Sequence, residues 1–199
     1  MKIFKIWLYL PVIFILIIAG CSSQSPYNTK NDKDQNVAKI IAVLAVDNKT
    51  ADSKASVLLR SKIIEELYFK GYTKVFPEII DKKLEPLYSK QSKDSKGIVA
   101  PQVLKELVGA DAVMYCTLME SKRSVGWFYA PVSIAVSCDL RSTQTGEVIW
   151  SAVYKSSSRN FDLTGNRLEI KSRAAFEEVM NEVVNKVMET LPDGPKLQG

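Results

Sequence analysis

Apolar residues are spaced in several distinct ways along this chain, and each spacing predicts a different kind of element. Lys39 to Val46, KIIAVLAV, is an almost unbroken apolar run, the pattern of a central strand buried on both faces of a helix-covered sheet. After the polar loop Asp47 to Ser53, residues Leu58, Leu59, Ile63 and Leu67, with Val57, Ile64 and Tyr68 beside them, recur at helical spacing. They predict a helix capped by Ser53 or Asp52, running to Lys70 and stopped by Gly71. Tyr72 to Phe76 reads as a second short strand, which would complete a parallel βαβ unit. Pro77 to Leu87 reads as a short helix around Ile79, Ile80 and Leu84, and Tyr88 to Gly97 as a solvated loop. A further short helix opens at Ala100 and Pro101 and stops at Gly109.

Beyond Asp111 the period changes. Asp111 to Glu120 predicts a strand. Pro131 to Arg141 then alternates, with Val132, Ile134, Val136, Cys138 and Leu140 on one face and Ser133, Ala135, Ser137, Asp139 and Arg141 on the other. A polar turn from Ser142 to Gly146 leads to Glu147–Lys155, where Val148, Trp150, Ala152 and Tyr154 share a face. From a cap at Ser172, the stripe Phe176, Val179, Met180, Val183, Val184, Val187, Met188 and Leu191 predicts the longest helix, ended by Pro192. The order β α β (α) α β β β α implies one α/β (α+β) domain. Its mixed sheet of about five strands is parallel in the first part, antiparallel in the second, and packed by helices.

The first segment is not part of that fold. Lys2 and Lys5 precede an apolar run from Ile6 to Ile18, followed by Ala19, Gly20 and Cys21. That run is short for a bilayer span, and small residues before a cysteine form a lipobox, so residues 1–20 read as a lipoprotein signal peptide and Cys21 as the lipidated amino terminus. Stable anchoring takes more than one acyl chain. Residues 21–38 are polar and turn-rich, a tether reaching roughly 20 to 25 Å as a flexible coil, and residues 39–199 form the domain. The whole chain carries +5; without the two leader lysines it carries +3, too mild to suggest nucleic acid. By resemblance to well-studied bacterial lipoproteins, Ser22 after the lipidated cysteine implies the outer membrane, with the domain facing the periplasm or exposed at the surface.

The composition limits chemistry sharply. There is no histidine, which removes histidine-dependent nucleophiles, bases and metal ligands. The nine glycines include no G-x-G, so no phosphate cradle is present, and no S-x-x-K occurs. Carboxylates remain, and Glu120, Asp139 and Glu147 are the residues a glycosidase-like pair would have to use. Each reads instead as an outward strand or turn position. No metal or cofactor is expected. Lys90, Lys93 and Lys96 make a basic loop that reads as solvated. Cys116 and Cys138 fall on the apolar parity of adjacent antiparallel strands, and a register summing to 254 places them opposite one another. In an oxidising compartment they form a disulfide, or else they are two separately buried small side chains. Trp127, Phe128 and Tyr129, following Lys122 and Arg123, fall at the expected hairpin tip. Three consecutive aromatics there either cap the end of the sheet or meet a partner, a neighbouring subunit or lipid.

IIAVLAVDN after a tether, LKELVGADAVMY and DLRSTQTGEVIWSA, behind a lipobox, resemble a family of outer-membrane lipoproteins known first as a meningococcal surface antigen. The resemblance runs from Ala38 to Leu191. That family looks like a relative of the TolB amino-terminal domain, CsgG and LpoB. The resemblance implies a binding or assembly component, often a homo-oligomer, with no catalytic residues to carry over. The expectation is a non-enzymatic adaptor or assembly subunit of an envelope transport or secretion apparatus, held to the membrane by Cys21 and contacting other envelope proteins. The alternatives are a regulator docking on a peptidoglycan synthase, and a carboxylate-dependent hydrolase. The hairpin Ser142–Thr145 is longer than the family pattern and leaves its register open.

Overall fold

The computed structural model describes residues 38–90 and 99–196. Its sheet contains β1 (Ile41–Val43), β2 (Asp47–Asn48), β3 (Ala112–Arg123), β4 (Tyr129–Ser142) and β5 (Val148–Phe161). Both β1 and β2 pair parallel with β3, while β3–β4 and β4–β5 are antiparallel, giving the order β1-β3-β4-β5. The helices are α1 (Ser53–Phe69), α2 (Pro77–Lys90), α3 (Pro101–Val108) and α4 (Gly165–Met188). This is the expected single-domain mixed α/β architecture.

The apolar run Lys39–Val46 does not stay in one strand. Val43 pairs with Met114 but Asp47 with Thr117, so one extra residue on this side interrupts the ladder between β1 and β2. Arg60 of α1 reaches into the break, donating from Nε (3.2 Å) and Nη2 (2.9 Å) to the Val43 carbonyl. The same guanidinium forms a two-pronged ion pair with Asp81 of α2 at 2.7 and 2.8 Å. One side chain thus ties β1 to two helices.

Between β2 and α1 the turn is built from side chains. The Thr50 N–H donates to Asn48 Oδ1, and Asp52 Oδ1 accepts the Ala55 N–H at 3.0 Å as the helix cap. Gly71, with φ 87°, turns the chain out of α1. The expected second strand, Tyr72–Phe76, is not formed; only Thr73 bridges to Ile40. Thr73, Lys74 and Phe76 are exposed, and Pro77 already opens α2, so too few residues remain to make a ladder. The crossover from β1 therefore runs through α1, α2 and α3 before returning parallel in β3.

α4 also begins earlier than its apolar stripe suggests. It starts at Gly165 after Thr164, and Ser172 is a fully buried residue inside the helix, not its cap. β5 extends to Phe161, beyond the expected end at Lys155, and α2 continues through Tyr88 to Lys90. The β4–β5 turn contains Gly146 at φ 77°, and the register slips by one between Leu140–Trp150 and Arg141–Val148, leaving Ile149 as the extra residue.

The core has two parts. On one face, Cys116, Leu118, Ile134, Val136, Cys138 and Leu140 pack beneath α1 and α4. On the other, Ala42, Leu44 and Val113 pack with Ile80 and Leu84 of α2 and Leu104 of α3. That second layer covers the β1–β3 side only. Along β5 every second residue from Ser151 to Phe161 remains exposed.

Candidate functional site

The most unusual surface lies at the tip of the β3–β4 hairpin. Near it Met119 is an unpaired bulge residue, since Leu118 faces Val136 and Glu120 faces Ala135. The turn closes through the Ser124 N–H to the Pro131 carbonyl (3.3 Å) and the Gly126 N–H to the Tyr129 carbonyl (2.8 Å). Trp127 is 87% exposed and Phe128 55%, with their rings edge-on at 6.3 Å. Tyr129 faces Phe161 across the β4–β5 ladder, ring centroids 5.1 Å apart. The Asp162 N–H donates to the Phe128 carbonyl, which sets Leu163, 86% exposed, beside the tip.

The three aromatics singled out from the sequence are therefore brought together. Phe161 and Leu163 join them and escaped the sequence reading, because SSSRN before Phe161 looks like a loop. The signal that finds them is the continued alternation of β5 paired to Tyr129. Lys122 is exposed and 3.4 Å from Glu120; Arg123 lies over the Phe176 ring at 5.9 Å.

Positive charge surrounds this tip. Lys122, Arg123, Arg159, Arg167 and Lys171 come from β3, β5 and α4. The acids among them are already committed. Asp162 accepts from Lys171 at 2.8 Å and from the Thr164 N–H at 3.1 Å, contacts that hold its carboxyl down at about 2, and Arg167 lies 3.8 Å away. Glu120 is also lowered, chiefly by its 2.6 Å bond from Lys155 and also by Lys122.

The other sequence candidates lie elsewhere. Cys116 and Cys138 face one another in the β3–β4 register with Cα atoms 4.1 Å apart, the spacing of a non-hydrogen-bonded pair, and are joined through their sulfurs. Both are buried beneath the helices. Cys21, Lys93 and Lys96 lie outside the described residues, and Lys90 is the last residue of α2. Glu120 stands opposite Ala135 and Asp139 is four residues along β4, about 14 Å away at strand spacing, too far for a glycosidase pair. Asp139 accepts from Ser151 at 2.7 Å, and Glu147 sits in the turn before β5. No group of acids and cysteines that could hold a metal ion occurs among the described residues. A groove of about 400 Å³ beside the β1–β2 break contains Arg60 and Asp81, whose charges are spent on one another.

The GAD and TGE motifs form the opposite end of the sheet. Gly109 caps α3 at φ 72°, and Asp111 accepts the N–H groups of Lys39 (2.9 Å) and Ile40 (3.0 Å), fixing the start of β1. Buried Thr143 donates its hydroxyl to the carbonyls of Ala110 and Asp111. Ser142 Oγ accepts from the N–H groups of Gln144 and Thr145. These contacts tie the starts of β1 and β3 to the β4–β5 turn.

A mixed sheet with helices packed on one face and on part of the other is an α/β domain of the kind found in bacterial lipoproteins. The chain matches the family described as "Putative lipoprotein GNA1162-like" over residues 30–194 and belongs to it. Its fold is that of lipoprotein GNA1162 from Neisseria meningitidis, at 22% identity and TM-score 0.50, covering 71% of this chain and 97% of that one. It is also that of PelC from Paraburkholderia phytofirmans, solved as a dodecamer, at 18% identity and TM-score 0.51, covering 78% and 88%. The LpoB C-terminal domain from Escherichia coli is 23% identical at TM-score 0.44, covering 63% and 87%. No curated protein matches the chain in sequence. No helix among the described residues is long and apolar enough to cross a membrane.

Proposed function

We propose that this chain is a lipoprotein anchored through Cys21 to the outer membrane and facing the periplasm, where it works as a non-enzymatic, self-associating subunit of an envelope transport or secretion apparatus. Membership of the GNA1162-like family carries this reading. Self-association is supported by β5, a strand of 14 residues at the end of the sheet with Val153 64% exposed. Long edges of this kind are normally shielded, and a neighbouring copy would shield this one. The fold shared with PelC, solved as a dodecamer, agrees with it. Action by binding is supported by the commitment of Glu120, Asp139 and Asp162 to neighbouring side chains.

The test takes the full chain expressed with its leader. Mass spectrometry should find an acylated amino-terminal Cys21, and native mass measurement in mild detergent a discrete oligomer. Crosslinking in cells should capture envelope transport proteins. A monomer at tens of micromolar would refute self-association. Capture of a peptidoglycan synthase with altered activity would replace the transport role, and hydrolysis lost in Glu120→Gln would refute the non-enzymatic one.

A further inference from the structure

We infer that the β3–β4 hairpin tip, with Phe161 and Leu163 beside it, is a membrane foot that dips into the headgroup layer of a bilayer containing anionic phospholipid, Trp127 leading. This rests on the lipid-anchored reading above and adds a second point of contact to it.

The composition matches the place. Trp127 and Tyr129 are amphipathic rings of the kind that settle at membrane interfaces, and Phe128, Phe161 and Leu163 supply apolar surface around them. The hairpin backbone is prepared for a drier medium. The N–H groups of Ser124, Gly126 and Asp162 already donate to carbonyls within the tip, so shallow entry does not strip them of partners.

Charge decides the occupant. Lys122, Arg123, Arg159, Arg167 and Lys171 border the tip, and its nearby acids, Glu120 and Asp162, are each held by cations. Two copies meeting tip to tip would oppose these cations. An anionic bilayer surface would neutralise them, with attraction growing for each residue near the surface.

The reach is sufficient. The domain starts at the far end of the sheet, where Lys39 and Ile40 donate to Asp111, and β3 carries the chain about 36 Å from Ala112 to Arg123. From Cys21 to Ala38 a fully extended chain spans up to roughly 56 to 61 Å. That length is enough for an acyl anchor at Cys21 and the hairpin tip to reach the same bilayer.

The experiment uses the lipidated full chain in phosphatidylethanolamine vesicles containing about a quarter phosphatidylglycerol, with acyl chains brominated near the headgroup. After leader removal the tryptophans are Trp127 and Trp150, and the indole of Trp150 donates to Thr190 on the protein itself. Vesicles should shift the emission to the blue, and brominated lipid should quench the Trp127 portion about two-fold. Trp127→Phe, an exposed and conservative change, should abolish the quenched portion. Omitting phosphatidylglycerol should reduce it. Acylated, vesicle-bound protein whose Trp127 emission is unquenched overturns the foot and leaves the anchor standing. A blue shift that follows protein concentration without lipid overturns it in favour of a second copy. An amino terminus without acyl mass overturns the anchor and the foot together.

Discussion

Reduction of the Cys116–Cys138 pair is the perturbation whose size follows most directly from the structure. The cysteines are 22 residues apart, and a crosslink enclosing a loop of that length removes unfolded-state entropy equivalent to about 3.4 kcal/mol at 25 °C. A domain of this size loses roughly 2 to 4 °C in Tm per kcal/mol, so the reduced protein should melt about 7 to 14 °C lower than the oxidised one. Comparing two redox states of one sequence keeps the buried side chains constant, which a Cys→Ala pair would not. Both sulfurs lie in the core, so reduction is done in denaturant before refolding under reductant. The assay is scanning calorimetry with thiol counts on the denatured protein. The exported protein should yield no free thiol when Cys21 is acylated, and two after reduction. Two free thiols in untreated protein would refute the bond. A shift below about 2 °C on complete reduction would refute the loop-entropy reasoning.

Three further outcomes test the remaining structural claims. Asp162→Asn should destabilise the domain by an amount that is constant from pH 7 to about 5. Because the folded carboxyl is depressed to about 2, that difference should shrink as pH falls below the unfolded value and vanish below about 2, read by urea unfolding across the range. Arg60→Ala leaves the buried Val43 carbonyl without its side-chain donor and Asp81 without its partner, and should cost about 1 to 3 kcal/mol in denaturant titration, with Arg60→Lys recovering part. Gly194→Ala places a methyl 2.6 Å from the Gly71 carbonyl carbon and 2.7 Å from the Tyr72 nitrogen, both backbone atoms. It should cost about 1 to 3 kcal/mol, with hydrogen exchange rising first at the end of α1, where Lys70 accepts from Gly194.

What could be read without coordinates followed from how local each cause is. The β3–β4 register was legible because alternation fixes which residues face the core, and once Cys116 and Cys138 share a face, one antiparallel register sets them opposite. α1 and α3 were legible for the same local reasons, Asp52 and Gly71 around one helix and Pro101 and Gly109 around the other. The failures arose where a distant partner decides. Tyr72–Phe76 has strand composition, but whether it becomes a strand depends on the length left before Pro77. The SSSRN stretch of β5 is a strand because β4 extends far enough to pair with it. The start of α4 was hidden by Gly165 and Asn166, weak helix formers, and by Ser172, whose buried hydroxyl interrupts the stripe from Leu168 to Ala175 and resembles a cap. The aromatic tip was visible as a run of three residues. Its full extent was not, since Phe161 and Leu163 reach it only through the β4–β5 pairing.

The same disparity of lengths explains why the hairpin tip is a surface. β4 and β5 have 14 residues each, which at strand rise is about 44 Å, whereas the 24 residues of α4 extend only about 35 Å. A helix of that length cannot cover the strands end to end, and α2 and α3 are committed to the β1–β3 side of the opposite face. Uncovered sheet must then present residues that tolerate water. Along most of the open face it does, with Asp139 held by Ser151 and Glu120 by Lys155. At the tip it does not, and Trp127, Phe128, Phe161 and Leu163 remain exposed where polar residues would carry no desolvation cost. An open face that keeps its charges paired and an apolar tip ringed by cations suit different neighbours. The first fits a polar protein surface such as another copy, and the second fits a lipid headgroup layer.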